Sequence, residues 1–434
     1  MRIPLLLFFG AILLLSYQIT KPFIGHHDFN NAFYANMARN LVRYGPLTTK
    51  LGQVTNIGPA TPSQFTFHTH HPPLMIWLLA ISYSVFKVTE FATRLVPIVF
   101  SALTVAVLFS LLKRVFNLRI AIVSCVFWIT TPIFSYFGKM AIHEVLVLFF
   151  FVVSLLCYYR NWSRGLIVSC VLWCLSGWPA FYIPVVIIFI DVLSKKALFN
   201  RRLLWLLVIP VVIFLILLGH NYVLTGDAFG GGLINALFFR TASVPIGDYV
   251  RKELGWLMAY YSKPLMVGTV LGIMMVIFSK DRKHMAFFLG ILIYAAMYLI
   301  VFRSSAYRHD YLIYYFLPFV TVAAGYFVSR LNKLLIIVCF LAPVLFSFQF
   351  TKALLESDYM REGLSAGKLI EITVGKNESV IVSNTDILTN ADWTTAFYGD
   401  RKMEIVRTEE KGGQADWRLL RGGDCKLVML RSPQ

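Results

Sequence analysis

The chain reads as an α-helical polytopic membrane protein with about 11 transmembrane helices and a small C-terminal α/β extracytoplasmic domain. Three observations lead there. Hydrophobic residues make up 58% of the 434 residues and charged residues only 14%, with a mean hydropathy of +0.69. An average soluble domain carries about 25% charged residues. Only nine of the 22 acids precede residue 350. The basic residues of that stretch gather in short clusters between apolar runs, the pattern that marks cytoplasmic loops.

The spans follow in order. Residues 3–20 are apolar and lack a small-x-small cleavage site, so they read as a retained helix rather than a signal peptide. Further spans are expected at 94–112, 120–137, 143–159, 203–219, 264–279, 285–302, 311–329 and 333–350. Residues 73–87 follow Pro72-Pro73 and fall short of the roughly 20 residues a crossing needs, which places them along the outer interface. Residues 165–192 are interrupted by Gly177-Trp178-Pro179. Proline breaks or kinks a helix, so this stretch is read as a pair that goes out and back. The clusters Lys113-Arg114 with Arg119, Arg160 with Arg164, Lys195-Lys196 with Arg201-Arg202, Lys280 with Arg282-Lys283, and Arg330 with Lys333 then all fall inside. The N-terminus lies inside on this scheme. The loops 21–93, 138–142, 220–262 and 303–310 lie outside with the tail, and the expected location is the cytoplasmic (plasma) membrane.

Two domains are expected: 1–349 in the membrane, with its first outer loop at 21–93, and 350–434 outside it. Within that loop, Phe33, Met37, Leu41 and Tyr44 recur at helical spacing, so Asn31 to Tyr44 reads as an amphipathic helix on the membrane surface. In the tail, 379–383, 403–406 and 426–430 read as strands and 391–398 as a helix. The net charge of +18 is a topology signal. Residues 350–434 hold 12 basic against 13 acidic residues, so nothing points to nucleic acid. The six cysteines imply no disulfide framework. Cys170 and Cys174, four apart on a helix, read as packing.

Four outer clusters can carry chemistry. A carboxylate beside lipid costs several kcal/mol unless paired or wet, so acids there are functional candidates by default. Asp28, in His26-His27-Asp28, suits a general base that takes a proton from an attacking hydroxyl, with His27 orienting it or holding a metal. The plainer reading is an N-cap for the helix that follows. His68-Thr69-His70-His71-Pro72-Pro73 places three histidines where they can bind a metal or an anionic ligand; otherwise it is an interfacial turn. Glu144 opens an apolar helix, where an acid also suits the dipole, and Lys139 five residues earlier can hold a phosphate as a point charge. Arg308-His309-Asp310 suits phosphate recognition, since guanidinium forks match phosphate oxygens; local pairing of Arg308 with Asp310 is the alternative.

In this order the motifs resemble the GT-C superfamily of membrane glycosyltransferases, in the family 39/83-like branch related to protein O-mannosyltransferases and the aminoarabinose transferase of lipid A. The resemblance covers about residues 20–330. It rests on Asp28 followed by Tyr34, Ala38, Arg39, Asn40 and Leu41, on His71-Pro72-Pro73-Leu74 with Trp77, and on Arg94-Leu95-Val96-Pro97. It continues through Glu144, Trp178-Pro179-Ala180 and His309-Asp310-Tyr311. The second acid, usually Asp in the family, is Glu144 here.

The resemblance implies an enzyme that moves a sugar, with inversion, from a polyprenyl-phosphate carrier to an acceptor hydroxyl on the outer face. It implies Asp28 as base and Glu144 as a second carboxylate shaping the acceptor or a metal site. Lys139 and Arg308 are then placed at the phosphate, with His70, His71, His309 and Asp310 as further substrate contacts. Lipid, glycan and protein acceptors all fit, and the bilayer is a partner. A divalent metal is compatible, with His27 and Glu144 as candidate ligands, but no spacing is diagnostic. The alternative is a transporter or flippase for a lipid-linked sugar, favoured by the Trp178-Pro179 break. Transporters tend to show internal repeats, and none stands out. A polysaccharide polymerase fits the His-Pro-Pro and His-Asp-Tyr motifs poorly.

Overall fold

The computed structural model describes residues 2–194, 201–229, 232–383, 392–406, 415–421 and 427–432. The expected Lys195-Lys196 cluster and Cys425 lie outside these residues. Helices run α1 Arg2–Leu15, α2 Phe29–Tyr44, α3 Leu74–Phe86, α4 Glu90–Val115, α5 Leu118–Thr130, α6 Pro132–Phe137, α7 His143–Tyr159, α8 Ser163–Cys174, α9 Ile183–Leu193, α10 Arg201–Thr225, α11 Gly232–Thr241, α12 Ile246–Tyr261, α13 Lys263–Ser279, α14 Arg282–Val301, α15 Arg303–Arg308, α16 Leu317–Val328 and α17 Lys333–Glu356.

Every expected span has a helix. Among the described residues, five helical runs contain an apolar stretch long enough to cross a membrane: Glu90–Val115, Leu203–Thr225, Arg282–Val301, Asp310–Val328 and Lys333–Thr373. The pair Ile246–Tyr261 and Lys263–Ser279, bent by 103°, would make a sixth. The remaining apolar helices are shorter, α8 and α9 among them. The chain between α8 and α9 breaks where the proline was read, in a 3-10 turn at Trp178–Tyr182.

The expected inner helix starts are capped by side chains. Asn117 accepts from Ile120 N, Asp281 from Lys283 N and His284 N, and Asn332 from Leu335 N. Each satisfies a backbone donor that the helix cannot. α16 is buried almost throughout and packs against α5 and α13. Close approach sets these contacts. A Cβ on Gly272 would lie 1.9 Å from the Ala323 carbonyl oxygen, and one on Gly325 2.1 Å from Ser124 Oγ. Small residues let helix backbones meet where lipid offers no hydrophobic drive.

Two regions differ from the sequence reading. The loop 220–262 holds helices α11 and α12. α2 is not a surface helix: residues 30–32 and 34–41 are buried. Its polar face meets other chain segments instead of water. Asn36 Nδ2 donates to the Asn56 carbonyl at 3.1 Å, and Asn40 Nδ2 to those of Val54 and Asn56 at 3.0 and 2.8 Å. Arg39 Nη1 donates to the Phe397 carbonyl at 2.9 Å, and Arg43 pairs with Asp400 at 2.5 Å. Amphipathicity reports two environments; here the second is protein.

The tail begins where α17 ends, at Glu356, past the expected boundary at 350. It adds α18 Arg361–Thr373, β1 Ser379–Ser383, α19 Asp392–Gly399, β2 Lys402–Val406, β3 Trp417–Arg421 and β4 Leu427–Arg431. The sheet order is β2-β1-β3-β4, with β3 and β4 antiparallel and the other pairs parallel. Three of these strands were expected; α18 and β3 were not. The tail's core of Ile370, Val380, Val382, Ala396 and Leu419 reaches Ile24 in the first loop.

Candidate active site

Most residues of the clusters singled out from sequence gather in a small pocket and in a larger cavity that adjoins a third. The first surrounds Asp28, at the start of α2. Its side chain does not cap the helix. Gly25 N donates to Oδ2 at 2.7 Å, and Asn31 Nδ2 donates to Oδ1 at 2.6 Å. Arg94 Nη2 stands 3.5 Å from both oxygens. Gln18, Lys21, Tyr136 and Lys139 complete a cramped pocket of about 20 Å³. Lys139 Nζ donates to the Tyr17 carbonyl at 2.7 Å. Burial, and then the Arg94 charge, bring the Lys139 amine down to about 7. A lysine so placed is tied to its own chain.

The second place is a cavity of about 480 Å³ lined by Tyr34, His70, His71, His143, Glu144, Arg240, Tyr298, His309 and Tyr311. Distant segments build it: α2, the His-Pro-Pro loop, the start of α7, α11, α14, α15 and the 3-10 turn Asp310–Phe316. His143 Nδ1 lies 3.0 Å from the Ser176 carbonyl, which assigns the proton to Nδ1 and leaves Nε2 an acceptor. Its ring stacks on His71 at 4.4 Å and 10°. Arg240 Nη2 donates to His71 Nε2.

Burial and the Arg240 charge lower the His70 pKa to about 4 and hold His71 well below the usual histidine range. Both rings are therefore neutral at neutral pH. His71 Nδ1, His143 Nε2 and His309 Nδ1 are buried with no hydrogen-bond partner among the described residues. Leaving such atoms unmade costs about 1–3 kcal/mol each, so the cavity wall carries unmet polar groups just behind its surface.

A third place adjoins the second. An apolar cavity of about 390 Å³, walled by Trp178, Phe181, Phe214, Phe229, Leu233 and Phe302, shares His70, Ala236 and Arg240 with the polar one. The Trp178 break forms one wall, and Trp178 Nε1 donates to the His70 carbonyl at 2.8 Å. Polar and apolar cavities thus meet at one arginine.

Of the residues singled out from sequence, Glu144, His70, His71 and His309 share the polar cavity. Asp28 and Lys139 share the small pocket instead. Arg308 lies over the Phe239 ring at 4.2 Å and does not line the cavity. Asp310 is turned to His26, His27 and Tyr260 rather than to Arg308. Arg240 and His143 were missed. The signal for Arg240 was an arginine after Phe238-Phe239 in an outer segment otherwise read as loop; His143 was the neighbour of an acid already chosen.

A bond path joins the first two places. Asn31 donates to Asp28, and its Oδ1 accepts from Ala141 N at 2.7 Å. Ala141 is three residues before Glu144, so Asp28 reaches the cavity through the backbone that carries Glu144.

The family model described as dolichyl-phosphate-mannose-protein mannosyltransferase matches residues 70–222. That segment carries the His-Pro-Pro loop, Glu144 and the Trp178 break. No curated protein sequence matches the chain. Among solved structures, ArnT from Cupriavidus metallidurans bound to undecaprenyl phosphate superposes with a TM-score of 0.68 at 15% identity, covering 94% of this chain and 86% of that one. The Archaeoglobus fulgidus oligosaccharyltransferase in its apo form gives 0.60 at 13%, covering 92% of this chain and 64% of that one. The same enzyme tethered to an acceptor peptide with the NVT sequon gives 0.58 at 14%, covering 92% and 63%. The chain therefore has the fold of the GT-C membrane glycosyltransferases and resembles the branch that includes ArnT and the protein mannosyltransferases.

Proposed function

We propose that the protein transfers a sugar, with inversion, from a polyprenyl-phosphate carrier to an acceptor hydroxyl at the outer face of the cytoplasmic membrane. The observation that carries this reading is the junction of the two cavities at Arg240. An isoprenoid tail suits the aromatic chamber, its phosphate suits Arg240, and the sugar suits the histidine-lined cavity. ArnT, similar in fold, was captured with undecaprenyl phosphate.

In the proposed reaction Glu144 takes the proton of the acceptor hydroxyl. The freed oxygen attacks the anomeric carbon from the face opposite the phosphate. The carbon–oxygen bond to phosphate breaks, and the electron pair leaves on the phosphate, where Arg240 stabilises the charge. Base catalysis of this kind is worth about 10²–10⁴-fold. Glu144 takes the base role expected of Asp28 because it lines the large cavity, whereas Asp28 lies in the small pocket. Asp28 becomes a positioning residue, acting through Asn31 and Ala141. Arg240 likewise takes the phosphate role expected of Lys139 and Arg308.

The test is to incubate the purified protein and candidate acceptors with polyprenyl-phosphate sugar labelled in the sugar. Release of free polyprenyl phosphate with label on the acceptor is the expected result. Movement of intact donor between leaflets without cleavage would establish a flippase instead.

A further inference from the structure

We propose that His26, His27 and Asp310 form a binding site for a zinc-class divalent cation. The site would tie the chain entering α2 to the start of the 3-10 turn Asp310–Phe316. It goes beyond the transfer reaction, and its test does not depend on that reading.

Three observations support it. His26 Nε2 lies 2.8 Å from Asp310 Oδ2, and His27 Nε2 lies 2.9 Å from Oδ1. The three residues thus offer two imidazole nitrogens and a carboxylate, all within 4.8 Å of one another. Two nitrogens, one carboxylate and an open position make a common zinc set. Ligands at ~2.0–2.1 Å on a tetrahedral ion stand ~3.3 Å apart, a spacing of the same order as the separations within this group.

Next, Asp310 Oδ1 is buried and has no hydrogen-bond donor, although His27 Nε2 is near. The contact is close but out of line for an N–H bond. Two imidazole nitrogens set against one buried carboxylate suit a cation shared among them.

Finally, the surroundings fix the ligands. Tyr260 donates to Asp310 Oδ2 at 2.6 Å. The His26 backbone N–H donates to Ser357 Oγ at 2.9 Å, and its carbonyl accepts from Tyr136 at 2.7 Å. Outer partners of this kind orient metal ligands. His27 adopts φ +56°, which turns both neighbouring imidazoles to one carboxylate. The His26 side chain is 27% exposed, giving the ion an entry route and room for a water.

The other histidine group, His68, His70 and His71, fits a cation less well. It brings no carboxylate, and Arg240 donates to His71.

The experiment uses the full chain in detergent. It is stripped with a chelator, loaded with zinc or cobalt, and separated from free metal. Bound metal, the visible spectrum of the cobalt form and thermal midpoint are then read. One equivalent per chain is expected, with a tetrahedral cobalt spectrum and a raised midpoint. The equivalent should be lost in H26A/D310N and retained in H68A/H70A. His27→Cys should keep the metal and add a thiolate band to the cobalt spectrum, a check that does not depend on the double variant folding. Wild-type protein that retains no metal overturns the proposal. So does metal that stays in H26A/D310N or leaves with H68A/H70A.

Discussion

Asp28 and Glu144 are both acids at helix starts, and they are equally buried, at 5% and 6% exposure. Their surroundings differ. Asp28 sits in about 20 Å³ of space with two donors on its oxygens and Arg94 beside it. Glu144 faces about 480 Å³ with unpartnered histidine nitrogens around it. Burial alone therefore does not identify a catalytic acid. Asp28 is enclosed by its own chain in a small pocket, whereas Glu144 borders open space where a ligand can reach it.

The largest expected effect that separates the two regions is on turnover. Glu144→Gln keeps the shape and removes the base, so the transfer rate should fall by about 10²–10⁴-fold with donor binding unchanged. Next is Arg240→Gln, which should weaken donor binding by about 10–100-fold, since a hydrogen bond to a charged group is worth about 1.5–3 kcal/mol. Equilibrium binding of polyprenyl phosphate would show it, and Arg308→Gln should bind as the wild type does.

Asp28→Asn should act through position. The Asn side chain can still accept from Asn31 but presents a donor to Gly25 N. The expected loss is about 1–3 kcal/mol of stability, seen as a lower thermal midpoint, with a fall in rate well short of that of Glu144→Gln.

The smallest effect is on pH. The folded pKa of His70 is lowered from 6.5 to about 4, so the unfolded chain takes up the proton first. Stability from this group is present above pH 6.5 and is lost as pH falls toward 4. Arg240→Gln removes one cause of the shift and should narrow that window, read from thermal midpoints across pH.

Much of the architecture was legible because burial in lipid demands long apolar runs and proline breaks them; the Trp178 break lies where the residues place it. The tail strands were legible from short runs of β-branched and aliphatic residues. What was not legible depends on partners. α2 carried the right periodicity, but the sequence could not say that Asn36, Asn40 and Arg39 would meet residues 54–56 and Phe397 instead of water. Of the residues chosen for the outer face, Glu144, His70, His71 and His309 come together in one cavity. Asp28 lies apart from them, bonded to Gly25 and Asn31, a local arrangement the sequence pattern does not display. Arg240 escaped notice because it joins the site through α11, in a segment with no apolar period strong enough to be read as helix.

The most direct test places Glu144→Gln and Asp28→Asn side by side in one transfer assay, with donor binding and thermal midpoint measured on each. The account predicts that Glu144→Gln binds donor and melts as the wild type does yet loses turnover by about 10²–10⁴-fold, while Asp28→Asn melts earlier and keeps most of its rate. A folded Asp28→Asn protein without turnover, beside a Glu144→Gln protein that still transfers sugar, would return the base role to Asp28 and contradict it.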